Sequence, residues 1–69
     1  MRRDPISSSN IAAVGYDPSS ETLEIEFTSG GVYQYYNVPL SIYEALLAAP
    51  SKGSFFAAQI RDRFPYARV

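Results

Sequence analysis

Between Thr22 and Thr28 apolar and polar residues alternate without a break. Leu23, Ile25 and Phe27 fall on one side, and Thr22, Glu24, Glu26 and Thr28 on the other. A period of two belongs to a strand with one buried and one wetted face. Small and β-branched residues from Asn10 to Tyr16 predict a strand before it. Asp17-Pro18-Ser19-Ser20 predicts the turn between them, with Pro18 at its first central position. Ser29-Gly30-Gly31 predicts a hairpin loop leading into a third strand from Val32 to about Val38.

Loop length decides which face the following tyrosines occupy. A two-residue loop places Val32, Gln34 and Tyr36 beside Leu23, Ile25 and Phe27. A three-residue loop with a glycine bulge places Tyr33 and Tyr35 there instead. Burying Gln34 requires amide partners that so small a core hardly supplies. The bulged hairpin is therefore expected, with Tyr33 and Tyr35 inward and structural.

Beyond Val38 the period changes. Pro39 suits the first position of a helix, and Leu40, Tyr43, Leu46 and Leu47 recur at helical spacing until Ala49-Pro50 ends it. Ser51 reads as the N-cap of a second helix from about Lys52 to Arg63, with Phe56, Ile60 and Phe64 along one face. Pro65 stops it, and the aromatic tail that follows is expected to dock back on the body. The fold class is thus α+β: a three-stranded antiparallel meander followed by two short helices packed on one face. Residues 1–8 read as a flexible lead-in, and residues 9–69 as a single domain.

Composition narrows the chemistry more than the fold. With 69 residues the core is one small cluster. The chain has neither cysteine nor histidine, which removes disulfides, thiol nucleophiles, thiolate or imidazole metal sites and the usual neutral-pH acid–base group. The N-terminus has no apolar run of signal-peptide or membrane-spanning type, so a cytoplasmic location without membrane attachment is expected.

No catalytic constellation emerges. Glu24 and Glu26 share a strand face, but solvated charges on an exposed sheet are far commoner than an acid–base pair. Ser51 with Lys52, or Ser7–Ser9, lacks a second base or an oxyanion donor. The carboxylates lack calcium-loop spacing, and the glycines match no phosphate-binding fingerprint. The expectation is a non-enzymatic module with no metal, no cofactor and no small-molecule substrate.

Charge is unevenly distributed. Residues 1–50 carry two arginines against six carboxylates, whereas residues 51–69 carry four cations against Asp62 alone. Aromatics beside cations are how small folds stack single-stranded bases, while the acidic strand face repels phosphate. Lys52, Arg61, Arg63, Tyr66 and Arg68 are therefore the candidate nucleic-acid contacts.

The strings Tyr16-Asp17-Pro18, Leu23-Glu24-Ile25-Glu26-Phe27-Thr28-Ser29-Gly30 and Val32-Tyr33-Gln34-Tyr35-Tyr36-Asn37-Val38-Pro39 together resemble the KTSC domain. Tyr33-Gln34-Tyr35 corresponds to that family's central Tyr-x-Tyr. Tyr43, Ser51-Lys52-Gly53, Phe56, Ile60-Arg61 and Pro65-Tyr66 fit its later pattern, and Ala57 departs from it. The family is named for a C-terminal extension of some lysyl-tRNA synthetases and also occurs as short bacterial proteins. The resemblance implies an RNA or tRNA partner by that association. A protein-interaction or self-associating module, using an exposed aromatic or edge-strand surface around Tyr16 or Tyr36, is the alternative.

Overall fold

The hairpin after Phe27 fixes the face on which the molecule builds its core. In the computed structural model, which describes residues 1–69, seven elements follow one another. They are β1 (Asp4–Pro5), β2 (Ile11–Asp17), β3 (Thr22–Phe27), β4 (Val32–Tyr35), α1 (Leu40–Ala48), α2 (Lys52–Gln59) and β5 (Tyr66–Arg68). The strands form one antiparallel sheet in the order β1-β2-β3-β4-β5. The fold is α+β, as the pattern predicted.

The three-residue loop and the inward face of Tyr33 and Tyr35 are as expected, but the loop lies one residue earlier than the expected Ser29-Gly30-Gly31, because Phe27 and Gly31 still pair. Leu23 pairs with Tyr35 and Ile25 with Tyr33, so both tyrosines share the inward face. Three residues, Thr28 to Gly30, make the loop. The Phe27 N–H donates to the Gly31 carbonyl and the Gly30 N–H to the Phe27 carbonyl, both at 2.9 Å. Gly30 takes a φ of 104°, which a side chain would strain.

Two strands extend the expected three, one at each edge. The segment 1–8, read as a flexible lead-in, supplies β1, with Asp4 opposite Val14 and Pro5 opposite Ala13. Its proline sits where an edge strand tolerates one. The C-terminal tail docks as β5, pairing Tyr66 with Tyr35, Ala67 with Gln34 and Arg68 with Tyr33.

Nine residues form the core: Ile11, Val14, Leu23, Ile25, Tyr35 and Val38 from the sheet side, and Leu46, Phe56 and Ile60 from the helical side. Burying each large apolar side chain stabilises the fold by about 1.5–3 kcal/mol. Only part of the predicted α1 stripe takes part. Leu46 is fully buried and Tyr43 half-buried, but Leu40 and Leu47 are exposed. Leu40 and Leu47 lie seven residues apart on one helix side, and a nine-residue helix on a single sheet has no second layer to cover it.

The second helix ends earlier than predicted, at Gln59 rather than Arg63. Ile60 leaves helical geometry at φ −123° and enters the core, and residues 60–65 return the chain to the edge of β4. The predicted cap is present, with Ser51 Oγ accepting a hydrogen bond from the Ser54 N–H at 3.3 Å.

The outer face of the sheet differs from the expected wetted one. Glu24 is only 5% exposed. Arg3 lies across β2 and places its guanidinium 2.5 Å from Glu24 and 3.4 Å from Glu26. The Gln34 amide donates to the other Glu24 oxygen at 2.8 Å, and the Tyr36 hydroxyl donates to Gln34 at 3.3 Å. Burial pushes the Glu24 carboxyl up. The hydrogen bonds from Gln34 and Arg3, with the Arg3 charge, outweigh it and hold the group below its ordinary value.

Candidate functional site

Because side chains alternate along a strand, the pairing of β4 with β5 places Tyr33, Tyr35, Tyr66 and Arg68 on the same face of the sheet. Phe27 continues that face from the end of β3, and Phe56 rises against it from α2. The rings interlock. Phe56 meets Tyr35 edge-on at 5.4 Å and Phe27 at 5.3 Å, and Phe27 meets Tyr33 edge-on at 5.7 Å. Tyr66 leans on both β4 tyrosines, 5.9 Å from Tyr33 and 5.4 Å from Tyr35.

These rings wall an open cleft of about 370 Å³, with Ser29 of the hairpin loop and Arg61 at its rim. The Arg68 guanidinium stands 5.8 Å over the Tyr33 ring, a cation–π distance. Depth separates the tyrosines. Tyr35 is 3% exposed, Tyr33 is half-buried and Tyr66 is 58% exposed.

Tyr35 is both core and cleft floor. Its hydroxyl has no hydrogen-bond partner in the protein. No buried side-chain oxygen or nitrogen of the fold is left unpaired, so this hydroxyl opens onto the cleft that its ring lines. Burial, assisted by Tyr66 and Tyr33, pushes its pKa up to about 12. At neutral pH it is a hydrogen-bond donor rather than a base.

Of the five residues nominated from sequence, the fold brings Arg61, Tyr66 and Arg68 to this cleft. Arg63 lies just beyond α2 and donates from Nε to the Ala58 carbonyl at 3.2 Å. Lys52 stands apart, in the first turn of α2, with Nζ 3.1 Å from the Ala49 carbonyl. It borders a second depression of about 320 Å³ lined by no hydrophobic residue, between residues 7–10 and 50–54. Hydroxyls there serve the local backbone: Ser8 Oγ accepts from Asn10 and Ile11, and Ser51 Oγ from Ser54.

Sequence reasoning treated Tyr33 and Tyr35 as structural and left Phe27, Ser29 and Phe56 out of the site. The signal that reaches them is the hairpin register itself, since it sets Phe27, Tyr33 and Tyr35 on one face. No three Asp, Glu, His or Cys side chains cluster to hold a metal ion. No helix is long and apolar enough to cross a membrane.

Comparison with known proteins places this architecture. A crystal structure of a KTSC domain protein from Yersinia pestis superposes with a TM-score of 0.96 at 41% identity, covering 99% of this chain and 96% of that one. A protein of Tsukamurella paurometabola is 45% identical over 60 residues, 87% of this chain and 90% of its own length. A lysine–tRNA ligase of Nostoc sp. is 44% identical over 59 residues, 86% of this chain; the match spans only 10% of the ligase. The KTSC domain model matches residues 7–64. The chain belongs to the KTSC domain family.

Proposed function

We propose that this KTSC domain is a non-enzymatic RNA-binding module whose contact surface is the aromatic cleft with Arg61, Arg68 and the neighbouring Arg63. The observation that carries the reading is the Arg68 guanidinium over Tyr33, with Arg61 and the exposed Tyr66 on the same cleft. Arg63 and Arg68 form no ion pair, and Arg61 reaches only its neighbour Asp62, at 4.0 Å. Free guanidinium groups beside exposed aromatic rings suit phosphate and base together. The similarity to a segment of lysine–tRNA ligases supports a tRNA context.

The test is an NMR titration of the labelled chain with bulk tRNA at low and then physiological salt. Shifts confined to Arg61, Tyr66, Arg68 and their neighbours, persisting at physiological salt, support the reading. Changing Arg61, Arg63 and Arg68 together to Ala should flatten the salt dependence, by roughly one unit of log–log slope for each phosphate no longer engaged. Absence of shifts, or binding indifferent to the triple change, overturns it.

A second reading has its own observation. β5 bonds to β4 through Pro65 and Val69, so the backbone groups of Tyr66 and Arg68 face the open edge and could accept an added strand. Co-purification of a protein that no longer binds when Arg68, whose N–H faces the open edge, is changed to Pro, yet still binds Arg68→Ala, would favour this over RNA.

A further inference from the structure

The Tyr35 hydroxyl is the feature that the RNA reading alone does not use. A tyrosine buried to this degree ordinarily gives its hydroxyl a partner. Here the ring is packed into the core, while the hydroxyl takes no partner from the protein and stays accessible at the cleft, free to donate to a ligand there.

Size and ring geometry restrict that group. A volume of about 370 Å³ lies at the low end of ligand pockets, room for one nucleotide and not for a helix. Tyr33 and Tyr66 are 5.9 Å apart and tilted by 50°, closer than twice the stacking spacing of roughly 3.4 Å that an intercalated base needs. A base therefore has no slot between them. One side of Tyr33 is taken by Arg68, which leaves the exposed Tyr66 as the stacking surface.

We propose that the cleft takes one unpaired nucleotide, its base stacked on Tyr66 and hydrogen-bonded by the Tyr35 hydroxyl, so that the module selects single-stranded over duplex RNA. Arg61 and Arg68, at the rim, meet the adjoining phosphates. A paired base keeps both faces in its own stack and its edge bonded to its partner, so it cannot reach the cleft floor. This inference rests on the RNA reading and names the ligand class of the same site.

The test is fluorescence anisotropy of an unstructured oligouridylate, free and annealed to oligoadenylate, with the full chain and with Tyr35→Phe and Tyr66→Ala. The single strand should bind at least about tenfold more tightly than the duplex, as the gain of one base–aromatic stack requires. Tyr35→Phe should weaken single-strand binding roughly fivefold, the size of one hydrogen bond, and leave duplex binding unchanged. Tyr66→Ala, at an exposed position, removes the preference without touching the core. Equal binding of the two RNAs, or single-strand binding unaltered by Tyr35→Phe, overturns this inference and leaves the RNA reading standing. Failure of both RNAs and of tRNA to bind overturns both.

Discussion

Gly15 lies directly beneath the backbone of Arg2: a Cβ at Gly15 would stand 2.1 Å from the Arg2 carbonyl oxygen. The missing side chain lets the N-terminal segment lie against β2, and from there Arg3 reaches Glu24 and Glu26 on β3. Gly15→Ala should destabilise the protein by about 1–3 kcal/mol, the usual cost of overpacking. Urea denaturation measures it. The same substitution in a chain beginning at Ser7 should cost less, because the colliding backbone is gone.

Glu24 makes stability pH-dependent on the acid side. Its carboxyl titrates below its ordinary value of 4.5 in the folded protein. Through that window the unfolded chain binds more protons, so stability rises with pH. The contribution is complete above about pH 4.5 and is lost as pH falls through the lower, folded value. Urea midpoints followed from neutral pH into the acid range should fall in the native protein and flatten in Glu24→Gln.

Tyr35 separates packing from polarity. Tyr35→Ala should cost about 3–5 kcal/mol, as for a buried aromatic side chain. Tyr35→Phe should change stability by less than about 1 kcal/mol, because the hydroxyl gives up no bond within the protein. A large loss in Tyr35→Phe would reveal an internal partner for that hydroxyl.

The same residue should be detectable in alkali. With a folded pKa pushed up to about 12 from the ordinary 10.0, the unfolded chain releases its proton first. Stability from this group is therefore fully present below pH 10 and declines as pH rises through the folded value. Burial also raises Tyr16 and Tyr43, so phenolate absorbance should show several tyrosines ionising late, and Tyr35→Phe should remove one of those late steps.

Tyr16 ties the meander to the start of α1. Its hydroxyl donates to the Val38 carbonyl at 2.5 Å, and its ring stacks on Tyr43 at 4.9 Å and 10°. Tyr16→Phe should cost about 1–3 kcal/mol by leaving the Val38 carbonyl without this donor, read from thermal denaturation.

The sheet face of Tyr33 and Tyr35 was legible because alternation and loop length are local properties, and a buried Gln34 is costly. β1 and β5 were not legible. Strands of two and three residues carry no periodicity, and their backbone bonds to a neighbour form only once the sheet exists. The burial of Glu24 was hidden for a related reason: its cation, Arg3, lies 21 residues away in a segment with no hydrophobic periodicity. Within the candidate site, Arg61, Tyr66 and Arg68 were found as a cationic, aromatic tail. Lys52 was grouped with them by sequence proximity, but the length of α2, about 12 Å for eight residues, separates it from Arg61.

One wall of the cleft is the outermost strand of the sheet, joined to the body by the Pro65 carbonyl accepting from Tyr36 and by Val69 donating to Val32, at 2.8 and 2.9 Å. A three-residue strand at a sheet edge opens locally at far less free energy than the whole fold. The cleft therefore exists only in the fraction of molecules with this strand docked, and apparent affinity scales with that fraction. A ligand held there slows amide hydrogen exchange at Val69, so that one amide reports occupancy.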